Sequence, residues 1–108
     1  MSADNCIAIL KTTDNFIKEN EYTLTNTFGK GITAYRVAHI QAADNFQYYL
    51  ENEIHNLGAY LRSEFGKAQP VYDPDEAFKI AHKLLDSVHY VEYGIIELDA
   101  SKYNFPGC

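Results

Sequence analysis

Arg36 and His39, close together in the run Tyr35-Arg-Val-Ala-His39, are the side chains best equipped for chemistry in this 108-residue chain. Arg36 stands between Ala34 and Ala38, and small neighbours leave a guanidinium room to fork onto a carboxylate or phosphate. The plainer reading is an ion pair with Glu92 or Glu97 across a sheet. His39 beside either glutamate would make an acid–base pair; a half-buried packing histidine with a backbone partner is the alternative. His82, Asp86 and His89 are spaced so that one helix face could present all three to a cation. No cysteine or carboxylate cluster completes that set, and an exposed polar face with a His82–Asp86 pair explains the spacing as well. Tyr48-Tyr49 beside Glu51 and Glu53 joins rings to acids, the composition of a patch for a protein partner. The competing reading sends Tyr49 into the core and leaves Tyr48 at the surface with nothing bound. The candidate partner- or ligand-binding residues are therefore Arg36, His39, Tyr48, Glu51 and Glu53, with no catalytic set, no metal and no cofactor expected.

Other chemistries fail on spacing. No serine or cysteine sits in a nucleophile elbow. Gly29-Lys30-Gly31 is not a phosphate loop, because Thr25 stands where that loop needs glycine and Gly31 where it needs a hydroxyl. It reads as a hairpin turn. Cys6 lies in an apolar run and Cys108 ends the sequence, which gives neither a disulfide framework nor a zinc spacing. A reduced compartment is simpler than a Cys6–Cys108 bridge.

The elements that must position these residues centre on 73–98. Asp73-Pro-Asp-Glu76 has the form of a helix start: Asp73 as cap, Pro74 where a missing N–H costs nothing, Glu76 placed to close a capping box. Ala77, Phe78, Ala81, Leu84, Leu85 and Val88 then recur at core-facing helical spacing. Residues 90–98 follow as a strand rich in Tyr, Val and Ile, apolar enough on both faces to be interior to a sheet, with Gly94 marking a bulge or close backbone approach. Earlier, Cys6-Ile-Ala-Ile-Leu10 predicts a buried strand, 12–20 a loop, 21–28 a weak strand and 32–40 its returning partner. The faces of that partner are Ile32, Ala34, Arg36, Ala38, Ile40 and Thr33, Tyr35, Val37, His39. Asp44 with Gln47 offers a capping box for a helix over 44–65 with Gly58 inside it. A rival parse extends the preceding strand through 45–48, so the preferred helix runs from about 51 to 65 and 41–50 stays open between strand and helix. Gly66 is a C-terminal stop. Val71 and Tyr72 suggest a brief edge strand, and 101–108 a coil pinned by Tyr103 and Phe105.

Length and composition bound the rest. The sequence reads as one domain over 1–108, long enough to bury roughly 60–70% of its unfolded surface. Its 46% hydrophobic content argues against disorder. A net charge of −6 argues against a direct role on nucleic acid, whose phosphates want a basic stripe. It suits a basic protein partner, including one that itself binds nucleic acid. No run reaches the roughly 20 apolar residues of a membrane span, and the first residues lack a secretion signal. A cytoplasmic setting without membrane contact is the expectation.

Cys6-Ile-Ala-Ile-Leu10, Tyr35-Arg-Val-Ala-His39, Phe65-Gly66, Glu76-Ala77 with Ala81, and Val91-Glu-Tyr-Gly-Ile95 together resemble small uncharacterised proteins of phage or prophage type. The likeness spans most of the chain in short pieces. It carries no assigned activity and transfers no catalytic residue. What it implies is an accessory or host-interaction role, such as blocking a host nucleic-acid-handling or defence protein.

The expected fold is α+β: an antiparallel or mixed sheet of about four strands with two helices packed on one face. The expected function is a non-enzymatic protein-binding accessory or inhibitor module, compatible with a homodimer. The alternative is a small-ligand binder or small enzyme with a pocket between helix and sheet near Arg36 and His39.

Overall fold

In the computed structural model, which describes residues 4–13, 32–52, 61, 63–88 and 90–100, strand β1 (Cys6–Thr13) is the axis of the molecule. It pairs antiparallel with β2 (Thr33–Ile40) on one side and parallel with β3 (Ile95–Asp99) on the other, giving the order β2-β1-β3. Every residue from Cys6 to Leu10 is buried. An unbroken apolar run is what a strand needs when both faces of its sheet are covered. The outer edge of β2 is met by Val71, whose backbone exchanges two hydrogen bonds with Tyr35, at 2.7 and 2.9 Å.

The two faces have different covers. Cys6, Ala8 and Leu10 point into a core with Ile40, Leu98, Phe46, Leu61 and Phe65. Helix α1 (Ala43–Asn52) supplies Phe46, whose ring tilts against Phe65 at 6.5 Å between centroids. Ile7 and Ile9 point the other way, onto Ala77 and Ala81 of helix α2 (Pro74–Ser87), with Leu84, Leu85, Val91 and Ile95 around them. Two alanines at i and i+4 let α2 lie close on the sheet, where the isoleucines of β1 fill the space. Each such isoleucine buried in full is worth roughly 1.5–3 kcal/mol.

The start of α2 follows its sequence at Asp73 and Pro74, while the expected capping box through Glu76 is not formed, since Asp73 bonds the Asp75 amide instead. Asp73 accepts from the Asp75 amide at 3.0 Å, and Pro74 takes the first helical position. The Val88 amide closes the far end on the Leu84 and Leu85 carbonyls, and the Ser87 hydroxyl donates to the Leu84 carbonyl.

Several expectations are corrected. The fold is α+β with a mixed sheet, but it shows three strands among the described residues; the expected strand 21–28 and the turn at Gly29 lie outside them. The helices among the described residues number three, not two, and cover both faces, because β1 is apolar on both sides and each side needs a cover. Helix α1 and the helical residues 61 and 63–65 lie on one face and α2 on the other. The interior strand is therefore β1, while β3 flanks it. β1 runs on through Thr12 and Thr13, where a loop was expected. Phe78, expected in the core, is 41% exposed and lies against His82 at 5.7 Å between rings. One residue is 100° of helix, enough to carry Phe78 off the stripe that Ala77 and Ala81 define.

Two further corrections concern the site. Helix α1 begins at Ala43, so 41–50 is mostly helix and the expected 51–65 start is too late. Of that stretch, 51, 52, 61 and 63–65 are described, all helical, ending in a turn at Gly66. β3 begins only at Ile95, leaving 90–94 as an irregular connector.

Candidate functional site

Three consecutive residues, Asp4-Asn5-Cys6, organise the candidate site among the described residues. Asp4 caps α1 from across the chain: its carboxylate oxygens accept from the Asp44 amide at 3.1 and 3.3 Å, and its carbonyl accepts from the Ala43 amide at 3.0 Å. A carboxylate there satisfies free first-turn amides and complements the helix dipole. Asn5, buried, ties down the connector. Its side-chain amide donates to the Tyr90 carbonyl at 2.8 Å, its side-chain oxygen accepts from the Glu92 amide at 2.8 Å, and its backbone carbonyl accepts from the Tyr93 amide at 3.1 Å. Gly94 then turns the chain into β3 at φ +68°, and its carbonyl accepts from the Ile7 amide at 2.8 Å.

Between the helix held by Asp4 and the connector held by Asn5 lies a cleft of about 470 Å³. Cys6, Phe46, Leu50 and Ile96 make its apolar lining, and Asp44, Gln47, Glu51 and Tyr93 its polar rim. Gln47 donates to the Glu51 carboxylate at 3.1 Å, bracing it along the helix. Asp44 and Glu51 are seven residues apart, two helical turns or about 10 Å along α1.

The electrostatics have one sign. The Asp44 carboxylate, then Glu92, partial burial and Asp4 push the Tyr93 phenol above its ordinary titration range, so the ring stays a neutral hydrogen-bond donor. Burial, with Asp4 adding to it, pushes the Cys6 thiol up to about 11. That thiol is protonated at neutral pH and is lining, not a nucleophile. The described segments that meet here, 4–10, 37–52 and 90–100, contain no lysine or arginine.

The residues singled out in the sequence are scattered by the fold. Arg36 is 3% exposed, opposite Leu10 on β1, and its guanidinium donates to the Thr13 carbonyl at 3.2 Å. It shares the sheet face of the cleft but sits four residues further along β1 than Cys6, about 13 Å at strand rise. Glu97 pairs with Ile9 on the opposite face and Glu92 is tied to Asn5 at the far end of the strand, so the expected ion pair with either does not fit the register. His39 lies on the α2 face, with its Nε2 3.1 Å from the Asn5 side-chain nitrogen. β1 separates it from Glu97 by two strand spacings, about 10 Å, which excludes an acid–base pair with that glutamate. Arg36 and His39 thus face opposite sides and share no pocket.

Tyr48, 53% exposed, and Glu51, also exposed, stand three residues apart on α1. Glu53 and the side chain of Tyr49 lie outside the described residues, as does His89. Among the described residues no three His, Cys, Asp or Glu side chains are grouped to hold a metal ion. No helix among them is long and apolar enough to cross a membrane.

Asp4, Asn5 and Tyr93 were not distinguishable in the sequence. The only local signal was polar Asp4-Asn5 set directly against a buried strand, where a side chain can reach backbone on both flanks. Comparison with protein-family models, curated proteins and solved structures finds no match to this chain.

Proposed function

We propose that this protein is a non-enzymatic binding module, of accessory or inhibitor type, that receives a positively charged protein partner on the face formed by α1 and the 90–94 connector. The observation that carries the reading is the cleft itself: apolar within, acidic at the rim, and walled by segments free of lysine and arginine. Half-exposed Tyr93 lines it, and tyrosine supplies contact area at low conformational cost. An acidic face steers basic partners and repels nucleic acid. The resemblance to phage-type accessory proteins fits a host nucleic-acid-handling or defence protein as that partner, in a cytoplasmic setting.

The test is affinity capture from a bacterial lysate with the full chain. The expected result is a defined basic protein, identified by mass spectrometry, held by the wild type and by Glu76→Lys but lost from Asp44→Lys and Glu51→Lys. Capture indifferent to those reversals, or none at low salt, contradicts the reading.

A second reading, a small-ligand site, is favoured by the size of the cleft, which falls within the range of roughly 300–1,000 Å³ of small-molecule pockets. Its location would be α1 and β3, not Arg36 and His39. A rise in melting temperature with a cationic amphiphile, abolished by Leu50→Trp, is its expected mark; no rise across a broad amine series removes it.

A further inference from the structure

Building on the binding-module reading, we infer that the cleft is an anchor pocket for a single arginine side chain of the partner, its methylene stem on the apolar lining and its guanidinium between the Asp44 and Glu51 carboxylates. The cavity offers the two environments such a side chain needs. Phe46, Leu50 and Ile96 give the stem an apolar wall, while Asp44 and Glu51 place acceptors at the mouth. Long basic side chains bury their stems and keep their heads at polar rims.

Arginine fits better than lysine for two reasons visible in the site. Its planar head reaches more than one acceptor at once, and here the acceptors are spread along two turns of α1 instead of converging on a point. It also stacks on aromatic faces, and the Tyr93 ring stands 50% exposed at the rim. The carboxylates are poised rather than consumed. Glu51 is braced by Gln47 through one oxygen, and at Asp44 the contact to Asp4 uses the backbone amide, which leaves the side chain to the cleft. No cation from the lining itself competes, since none is present in it.

The experiment is an NMR titration of the full chain with N-acetyl-arginine amide and, in parallel, with N-acetyl-citrulline amide, its neutral isostere, and the lysine analogue. Affinity in the millimolar range is expected for so small a ligand. The arginine compound should shift the amides of Phe46, Leu50 and Tyr93 saturably, with lysine weaker and citrulline without saturable effect. The double variant Asp44→Asn, Glu51→Gln, with its spectral dispersion unchanged, should bind about tenfold more weakly or worse, the loss of roughly 1.4 kcal/mol, while Glu76→Gln binds as wild type. Equal shifts from citrulline, or arginine shifts spread over every acidic surface, overturn the pocket. The two readings fail separately. Capture that depends on Asp44 and Glu51 without arginine-specific shifts removes the anchor and keeps the module. Arginine-specific shifts with capture untouched by the reversals remove the module.

Discussion

At the scale of single residues, Asn5 has the largest consequence for its size. The Tyr90 carbonyl and the Glu92 amide fix which way its side-chain amide points, since one can only accept and the other only donate. The remaining N–H therefore faces the His39 Nε2, which must be the acceptor. His39 should be the neutral Nδ1–H tautomer, and nitrogen NMR showing the proton on Nε2 would contradict this. Asn5→Ala strands two backbone groups and should cost roughly 2–3 kcal/mol in urea denaturation; a loss within error would mean the connector holds itself. Cys6 gives a pH dependence. The unfolded thiol ionises near 9 and the folded one near 11, so the folded state keeps its full advantage below pH 9 and loses it as pH climbs toward 11. The loss should be on the order of 1–2 kcal/mol after allowance for solvent screening, and it should vanish in Cys6→Ala. At this scale the sequence was a poor guide. Arg36 and His39 drew notice for their type, yet an odd spacing on a strand already separates them onto two faces. Asp4 and Asn5 are ordinary polar residues whose partners lie 34 or more positions away.

At the scale of elements, α2 was legible and α1 was not, for an identifiable reason. The cap and proline of α2 are local, written within four residues. The cap of α1 is Asp4, supplied from just before β1, so the Asp44–Gln47 pattern pointed two positions too far in and 41–50 could not be resolved. Asp4→Ala should therefore destabilise by about 1 kcal/mol, as a lost N-cap does, and reduce hydrogen-exchange protection in the first turn of α1; unchanged protection there would remove Asp4 as the cap. On α2 the periodicity named the stripe correctly but not its centre. Ala81→Leu should cost about 1–3 kcal/mol by overpacking against Ile7 and Ile9, whereas Phe78→Ser should stay within about 1 kcal/mol. The reverse ranking would restore Phe78 to the core. At Gly94 the positive φ, not crowding, is what needs glycine: a Cβ there would meet nothing within 4 Å. Gly94→Ala should cost about 1–2 kcal/mol through backbone strain alone.

At the scale of the whole molecule, a sheet with a helix on each face follows from one fact, that the run Cys6 to Leu10 is apolar without alternation. That run showed a buried strand, and with both sides of it apolar the opposite placement of the helices was within reach of the sequence. The cleft was not, because it exists only where 4–6, α1 and the 90–94 connector meet. Its charge is a consequence of the same meeting: a chain of net −6 brings together three stretches that happen to lack lysine and arginine. The most direct measurement on this account is the titration of the Tyr93 ring followed by NMR, in the wild type, in Asp44→Asn, and with saturating N-acetyl-arginine amide. The expected result is a midpoint above the ordinary tyrosine value of 10 in the wild type, lowered both by removing the Asp44 charge and by seating a cation beside it. A wild-type midpoint at the ordinary value, unmoved by either change, would mean that no acid-rimmed cleft stands beside that ring.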